Sequence, residues 1–503
     1  MMATVLLETT PENPAVEACV EEMKTHNSPR RRTVGGQAKE EKREASPHGQ
    51  GSPKRQAKLS TYSHTYVVHT AIRASPLSKE SPEQDYRGFL NLALLLLAVS
   101  NIRLIIENYM KYGFLLSHPF SNLRLSDVQW ACVSWAFQGM NVLAAYATEK
   151  WATRDIRTDR PTRKMVRLIY FINIGLTITI PTLIAYTIWN PAISALSLFS
   201  AAILMLKLIS YGLVCGDMRR EAAWKIVPHR CEDLTSKDAR LNTAEFDINM
   251  TYPLNITLGN LLYFVFCPTL CYQPVYPRTP RFRSIFFFKR LMEFSIGMAA
   301  IYLLGVQYAA PTLRNSLQAL DKLDFVHLVE RVLKLSVISV VIWLLMFYCF
   351  FHCALNMLAE VMRFGDRRFY LTWWNARDIA EYWRLWNTPV HNWGKRHIYM
   401  PLIIKHKVPP MVASIAVFTF SAILHELLIG VPTRCVNGWA FWGMMIQLPL
   451  ILQTRAFEPL RRRNEKLFDT IGNYMFWISF TIVGQPTCVL VYYSHWYKRT
   501  YLS

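Results

Sequence analysis

Apolar residues along the chain fall in blocks of about 18 to 25, the length that a helix needs to cross a bilayer at about 1.5 Å per residue. Polar or basic stretches separate the blocks, so the pattern predicts an all-α, polytopic membrane protein. We count about nine candidate transmembrane helices, near residues 86–106, 128–148, 166–189, 191–214, 294–312, 332–357, 409–431, 436–453 and 471–494.

The N-terminal region has a different composition. Residues 1–84 are rich in Pro, Ser, Lys, Arg and Glu and show almost no apolar periodicity. Such a segment buries too little apolar surface to fold alone. We therefore expect a disordered, basic, cytosolic region over 1–84 and one membrane domain over 85–503. The run Arg30–Arg32 fits either a solvated tail or a contact with anionic lipid or acyl-CoA phosphates.

The basic residues of the loops predict an orientation, because loops rich in Lys and Arg stay in the cytosol. Residues 149–165 hold six Lys or Arg and residues 454–470 hold five, whereas 107–127 hold two. With nine spans, this places the N-terminus in the cytosol and the C-terminus in the lumen.

Two long segments, 215–293 and 358–408, face the cytosol in this topology. Both are aromatic and basic, so we expect them to lie on or dip into the bilayer. Residues 364–393 have the composition of an interfacial helix and a turn. The sequons at Asn249 and Asn255 lie in the first segment and are expected to carry no glycan.

The overall composition excludes one ordinary soluble domain, because 52% of the residues are hydrophobic and the formal net charge is +21. The ten cysteines are scattered without a CxxC pair, which indicates free thiols. Cys267 and Cys271 lack the further His or Cys of a zinc set, so no metal site is expected. Membrane lipids are expected partners, and nucleic acid is not.

The dipeptide His425-Glu426 is the most informative polar feature inside an apolar block. From Pro409, His425 lies roughly 24 Å along a helix of about 1.5 Å per residue, and so well inside the membrane. Polar residues at that depth usually face a cavity or a partner. A neutral imidazole there is suited to take a proton from an alcohol as its oxygen attacks a thioester.

Other interpretations of these residues remain open. A neighbouring helix could satisfy His425, and Glu426 could either tune it or anchor another span. His352, with Asn356 and Glu360 at helical spacing, is a rival site for which a structural role is favoured. Further single amides occur at Gln447 and Gln485, which fit either substrate orientation or interhelical hydrogen bonds. The chain has no G-x-S-x-G motif, so direct acyl transfer is the simplest scheme.

Two adjacent blocks carry a family resemblance: Phe364–Asn375 (FGDRRFYLTWWN) and Tyr382–Trp393 (YWRLWNTPVHNW). They resemble the signature of the membrane-bound O-acyltransferases, in the branch that acylates diacylglycerol and sterols. The blocks Asn101–Gly113, Pro268–Arg283 and Gly443–Pro449 resemble its diacylglycerol side. The resemblance covers residues 85–496 and implies a helical fold that encloses an intramembrane reaction chamber in the endoplasmic reticulum.

The resemblance also implies roles for individual residues. It makes His425 the catalytic base and Asn387 its polar partner, with Glu426 beside the histidine. The positions that match substrate-binding residues of the family are Gln447, Gln485, Met444, Trp386 and His391. The positions that match its acyl-CoA element are Phe369, Tyr370, Trp373, Trp374, Asn375 and Tyr399. Acyl-CoA is implied as a substrate, with no cofactor.

The chain departs from the family in two places. Thr372 stands where the motif has Asp, and Pro409-Pro410 stand where relatives carry basic CoA contacts. Lys405 and Lys407 are candidates to replace those cations, because a phosphate-rich ligand needs positive charge nearby. Relatives form dimers or tetramers through N-terminal segments, and residues 60–73 are the corresponding candidate here.

Three functions are compared. The first is acyl transfer from acyl-CoA to diacylglycerol, which gives triacylglycerol and free CoA. The second is the same chemistry with a sterol or a long-chain alcohol as acceptor. The third is a transporter or a lipid-binding scaffold, against which the chain shows no internal repeat and no paired broken helices.

Overall fold

The computed structural model describes residues 87–115, 123–154, 160–226, 252–322, 324–456 and 458–501. Within these ranges the regular structure is helical, apart from one isolated antiparallel bridge between Arg278 and Phe364. The all-α prediction is confirmed. The predicted N-terminal region 1–84, its boundary with residue 85 and the sequon at Asn249 lie outside the described residues and stay predictions.

The α-helices, numbered in chain order, are α1 Arg87–Tyr112, α2 Leu125–Thr153, α3 Arg160–Thr187, α4 Pro191–Ile226, α5 Leu258–Phe266, α6 Ser284–Leu304, α7 Ala310–Asp321, α8 Phe325–Phe347, α9 Leu355–Val361, α10 Ile379–Trp386, α11 Thr388–Gly394, α12 Met400–Ile404, α13 Pro410–Gly430, α14 Trp439–Met445, α15 Gln447–Ala456, α16 Glu458–Arg461, α17 Glu465–Trp477 and α18 Gln485–Tyr501. The π-helical segments are π1 Gly305–Ala309, π2 Tyr348–Ala354, π3 Lys395–Tyr399 and π4 Ile478–Gly484. Residues Trp373–Asn375 form a 3-10 turn.

Six helical stretches in the described residues are long and apolar enough to cross a membrane: Arg163–Thr187, Pro191–Ala222, Ser284–Leu317, Phe325–Val361, Pro410–Gly430 and Glu465–Thr500. The prediction of a multi-pass membrane protein is confirmed, but the count of nine is not. The predicted span 436–453 consists of two short helices, α14 and α15, with a turn at Ile446. Helices α1 and α2 are not among the six.

The chain divides into two units, Met1–Met110 and Lys111–Ser503. The described part of the first unit belongs to α1, where large apolar side chains such as Leu95 and Ile102 are exposed. The second unit contains all the other helices. Its long apolar helices expose many leucine, valine and phenylalanine side chains, as expected where lipid replaces water.

Helices α2, α3 and α4 contact one another around the buried carboxylate of Glu149. That carboxylate accepts hydrogen bonds from Arg219 at 2.8 and 2.9 Å, from Tyr170 at 3.1 Å and from Tyr252 at 3.0 Å. A buried charge is tolerated only when it is paired and hydrogen-bonded. The network therefore fixes how this three-helix group packs.

A second core is aromatic and joins α8, α10, α17 and π4. Its rings include Trp343, Phe347, Trp373, Tyr382 and Phe476, all buried. Aromatic pairs in stacked and edge-to-face geometry stabilise such a core beyond the apolar area that they bury. Because α10 and the 3-10 turn carry the Trp- and Asn-containing blocks 364–375 and 382–393, this core positions those blocks against the long helices.

Candidate active site

His425 lies on α13, and the hydrogen bond of its ring shows which of the two ring nitrogens carries the proton. Its Nδ1 lies 2.8 Å from the backbone carbonyl oxygen of Ser421, one helical turn earlier. A carbonyl oxygen only accepts, so Nδ1 carries the proton and Nε2 carries the lone pair of the neutral ring. Among the described residues no hydrogen-bond partner occupies Nε2. This is the nitrogen that a general base requires.

Trp383 on α10 connects His425 to a second predicted site residue. The two ring centroids are 6.4 Å apart, with ring planes at 85°. The indole Nε1–H of Trp383 donates to Oε1 of Gln447 at 2.6 Å, and the Gln447 amide nitrogen donates to the carbonyl of Gly443 at 3.3 Å. The structure thus brings α10, α13 and α15 together at this site.

The sequence analysis missed Trp383 because no spacing rule relates it to His425 or Gln447, which lie 42 and 64 positions further along the chain. Ser421 could have been found, because residues four apart on a helix are neighbours. Met444, one of the predicted substrate-binding residues, is buried on α14, with its sulfur 4.0 Å from the Gln447 amide nitrogen.

Glu426 contacts a different neighbour from His425. Its carboxylate accepts from three backbone N–H groups within residues 438–441 at 2.8 to 3.2 Å, and from the Tyr492 hydroxyl at 2.8 Å. These N–H groups begin α14, where the first turn has no carbonyl partners of its own. In the described residues no hydrogen bond joins Glu426 to His425. The geometry is that of an anchor between α13, α14 and α18.

Asn387 is the N-cap of α11, where its Oδ1 accepts from the Val390 N–H at 3.2 Å. Such a cap satisfies one of the donors at a helix start. Within the described part of the chain Asn387 makes no hydrogen bond to His425, so the predicted catalytic pair remains a prediction. Trp386, directly before it, stacks on Trp343 with centroids 4.7 Å apart and planes at 10°.

His391 is half-buried on α11. Burial lowers its pKa to about 4, and the cations Lys395 and Arg384 act in the same direction. The ring is therefore neutral at neutral pH.

Gln485 begins α18 directly after π4. Its amide oxygen is buried and has no hydrogen-bond partner among the described residues. A buried acceptor without a donor costs free energy, which a ligand donor would recover. Breaks of the π type are frequent at functional sites.

The residues predicted to bind acyl-CoA do not form one surface. Phe369, Trp373 and Tyr399 are buried, Tyr370 is half-buried, and Trp374 and Asn375 are exposed. Trp373 is part of the aromatic core, and the Tyr370 hydroxyl lies 2.7 Å from Nδ1 of His352. Phe369 lines the cavity described next.

A cavity of about 450 Å³ lies where the loop after α5 faces α11 and π3. The residues that line it are Pro268, Thr269, Cys271, Gln273, Tyr276, Pro277, Phe364, Asp366, Arg368, Phe369, Thr388, Pro389, Asn392, Lys395, Arg396 and Met400. Three of these are cations and one is a carboxylate. Lys405 and Lys407, the predicted replacements for the basic contacts, are exposed and do not line it.

In the described ranges no three His, Cys, Asp or Glu side chains are grouped so as to hold a metal ion. The eight described cysteines are free thiols.

Comparison with known proteins agrees with the motifs. The model of the membrane-bound O-acyltransferase family matches residues 166–495. Diacylglycerol O-acyltransferase 1B of Glycine max is 38% identical over 87% of this chain and 83% of its own length. Diacylglycerol O-acyltransferase 1 of Arabidopsis thaliana is 37% identical, over 87% and 79%. The protein of that name from Dictyostelium discoideum is 34% identical, over 85% and 66%. The chain belongs to the membrane-bound O-acyltransferase family.

Proposed function

We propose that the chain transfers the acyl group of acyl-CoA to the free hydroxyl of diacylglycerol, which gives triacylglycerol and CoA. The activity for which the relatives are named, at 34% to 38% identity over most of both chains, supports the acceptor. The observation that carries the mechanism is Nε2 of His425, which has no hydrogen-bond partner among the described residues and lies in a helix long and apolar enough to span a membrane.

In the proposed reaction, Nε2 of His425 takes the proton from the diacylglycerol hydroxyl as its oxygen attacks the thioester carbonyl carbon. The new C–O bond forms, and the carbonyl oxygen carries negative charge in the tetrahedral intermediate. That intermediate collapses with cleavage of the C–S bond, and the imidazolium returns its proton to the CoA sulfur. The acyl group passes directly between substrates, and no cofactor or metal takes part.

Three amides are proposed to orient the reacting groups. Gln447 is held near His425 by Trp383, and one of its amide hydrogens is bonded to the Gly443 carbonyl of α14. The buried oxygen of Gln485 has no partner among the described residues and is suited to accept from a substrate N–H group, since the single hydroxyl hydrogen of diacylglycerol goes to His425. Asn387 is assigned through the family motif, and its amide nitrogen makes no hydrogen bond in the described structure, so it is free to donate to a developing oxyanion.

The phosphates of CoA are proposed to bind in the cavity beside α11 and π3. Arg368, Lys395 and Arg396 supply the positive charge that phosphates require. Since α11 follows α10, which carries Trp383, the cavity and the His425 site share one continuous stretch of chain.

We also propose an endoplasmic-reticulum membrane location, with the N-terminus in the cytosol and the C-terminus in the lumen. The sequon residue Asn255 is buried, and its amide nitrogen donates to the Tyr272 hydroxyl at 3.1 Å, which supports an unglycosylated side chain. Assembly into dimers or tetramers is part of the proposal; the candidate segment 60–73 lies outside the described residues.

His425→Ala and His495→Ala form a matched pair for testing the mechanism. His495 on α18 makes the same Nδ1 bond to the carbonyl four residues earlier, at 2.9 Å, but its side chain is exposed. In microsomes with labelled oleoyl-CoA and diacylglycerol, His425→Ala should lose about a thousandfold in rate, within the range of a removed general base. His495→Ala should keep the wild-type rate. A His425→Ala enzyme that retains full activity would overturn the mechanism.

A further inference from the structure

Lys207 is a fully buried cation in the middle of the apolar helix α4, with 4% of its surface exposed. Its ammonium group donates to the backbone carbonyls of Phe264 at 2.9 Å, Val265 at 2.8 Å and Cys267 at 2.6 Å. The Phe264 ring also lies beneath it, 5.2 Å away. A buried charge in a membrane helix is unfavourable in free energy, so a lysine with these three hydrogen bonds is expected to have a specific structural or functional role.

The three carbonyls lie at the C-terminal end of α5: those of Phe264 and Val265 belong to its last turn, and that of Cys267 belongs to its C-cap. Helix α5 ends at Phe266, and Cys267 leaves the helix with extended backbone. Carbonyls at a helix C-terminus lack N–H partners and carry partial negative charge, which a cation satisfies. Lys207 therefore fixes the point at which the chain leaves α5 and enters residues 268–273, four of which line the cavity.

Ser210, one turn further along α4, holds the other end of this loop. Its Oγ accepts from the Tyr272 N–H at 2.8 Å, so its own hydrogen is free to donate to Nε2 of His397, also at 2.8 Å. Arg396 donates to the Tyr272 carbonyl at 3.1 Å. The loop on one side of the cavity and π3 on the other are thus both bonded to α4.

The same stretch of α4 also holds α11. The indole N–H of Trp393 donates to the Leu206 carbonyl at 2.8 Å. Residues 206–210 consequently bind both walls of the cavity. The three residues that make these contacts lie within about one and a half turns of α4.

We infer that Lys207 is a positioning residue for the acyl-CoA site. It holds the loop after α5, residues 268–273, in the conformation that binds the CoA part of acyl-CoA. The expected effect on KM rests on the proposed function. The expected effect on the position of the loop does not. Removing the ammonium leaves the carbonyls of Phe264 and Val265 without a donor among the described residues, each with the desolvation cost of a lost hydrogen bond. The Cys267 carbonyl keeps the Thr269 N–H at 2.8 Å. The loop should then leave its place while the rest of the bundle stays packed.

The test compares Lys207→Met with Lys334→Met in full-length purified protein. Lys334 is an exposed lysine paired with Glu330, so it controls for loss of a positive charge. The structural readout is alkylation by N-ethylmaleimide, mapped by mass spectrometry at two buried cysteines. Cys267 lies at the loop that Lys207 holds, and Cys349 lies in π2, outside that loop. The kinetic readout is KM for oleoyl-CoA and for diacylglycerol.

In Lys207→Met we expect alkylation of Cys267 and KM for oleoyl-CoA each to rise about tenfold or more, as for loss of buried charge-assisted hydrogen bonds. Alkylation of Cys349 and KM for diacylglycerol should stay within about twofold of wild type, since neither depends on those bonds. Ser210→Ala, a smaller change, should move the same two quantities less.

The inference would be overturned if Lys207→Met and Ser210→Ala both leave the Cys267 alkylation rate and the KM for oleoyl-CoA unchanged. It would also be overturned if both variants raise the alkylation rates of Cys267 and Cys349 equally, because that result indicates general unfolding. If the wild-type protein transfers no acyl group at all, the proposed function fails, while the alkylation pattern still decides whether Lys207 holds the loop.

Discussion

His352 and His425 both lie in long apolar helices, but their ring nitrogens have different partners. Nδ1 of His352 contacts the Tyr370 hydroxyl at 2.7 Å, and Nε2 is hydrogen-bonded to the guanidinium of Arg290. A guanidinium only donates, so both nitrogens of His352 are in use. In His425 only Nδ1 is bonded among the described residues. Only His425 of the two therefore has a ring nitrogen open to a substrate, as the proposed general base requires.

The glutamates near the two histidines differ in a similar way. Glu360 has a fully buried carboxylate that pairs with Arg283 at 2.8 Å and Arg367 at 2.6 Å. Glu426 pairs with no cation in the described residues and instead binds backbone N–H groups of α14 and the Tyr492 hydroxyl. The first carboxylate holds the segments that begin α6 and follow α9, whereas the second holds the helix that leads to Gln447.

The largest expected effect separates the two histidines. Beside the roughly thousandfold loss for His425→Ala, His352→Phe should lower kcat by less than about tenfold, because it removes hydrogen bonds that hold structure rather than a proton acceptor. The measurement is the initial rate of oleoyl transfer at saturating substrates. Equal losses of kcat in His425→Ala and His352→Phe would contradict the assignment of different roles to the two histidines.

The two glutamates give the next effect. Glu426→Ala leaves several buried N–H groups of α14 unpaired, for a cost of about 2 to 4 kcal/mol in the free energy of unfolding. Glu360→Ala removes the shared carboxylate of Arg283, whose side chain is 47% exposed, and of Arg367, whose side chain is only 17% exposed. Breaking such a buried pair costs about 3 to 5 kcal/mol, so thermal unfolding of the purified proteins should show a lower Tm for both variants, with the larger decrease for Glu360→Ala. Glu426→Gln, which keeps one acceptor oxygen, should fall between Glu426→Ala and wild type.

A smaller effect is expected at Trp383. Trp383→Phe keeps an aromatic ring beside His425 but removes the N–H that holds Gln447. Loss of one neutral hydrogen bond predicts a decrease in kcat of about three- to tenfold. Trp151→Phe, at an exposed ring of α2 outside the site, serves as the control and should leave kcat unchanged. An unchanged kcat in Trp383→Phe would show that Gln447 needs no such support.

The smallest effect concerns acid stability. The pKa of His391 is about 4 in the folded protein and 6.5 for an unperturbed histidine. Between these values the unfolded chain binds a proton that the folded chain does not, so stability falls as the pH decreases from about 6.5 towards 4. His391→Gln should flatten the fall in Tm between pH 7 and pH 5, whereas His406→Gln, at an exposed side chain, should not. The pKa of His397 is also lowered to about 4 by burial, so it acts in the same direction.

Much of the fold could be predicted from hydrophobic blocks, because a membrane helix needs a long apolar run. The span around 436–453 could not, since its composition is apolar while the anchoring of α14 by Glu426 and the turn at Ile446 arise from tertiary contacts. The basic lining of the cavity was also beyond the sequence. Arg368, Lys395 and Arg396 come together only because α11 and π3 fold against the loop after α5.

The site itself was partly accessible from the sequence. An ionisable residue in an apolar run led to His425, single amides in apolar runs led to Gln447 and Gln485, and the family resemblance then matched all three. What the sequence left open was whether Glu426 tunes the histidine or anchors a neighbour, because adjacent helix positions point in different directions and the partner depends on packing. The four hydrogen bonds of Glu426 are consistent with the anchoring alternative.

The most direct test of the central claim is an acceptor panel with purified full-length protein. Labelled oleoyl-CoA is supplied with diacylglycerol, monoacylglycerol, a sterol or a long-chain alcohol, and the lipid products are separated. The account predicts that label enters triacylglycerol at least about tenfold faster than any other product, a discrimination of about 1.4 kcal/mol. Label that enters mainly sterol ester or wax ester, or no lipid at all, would contradict it.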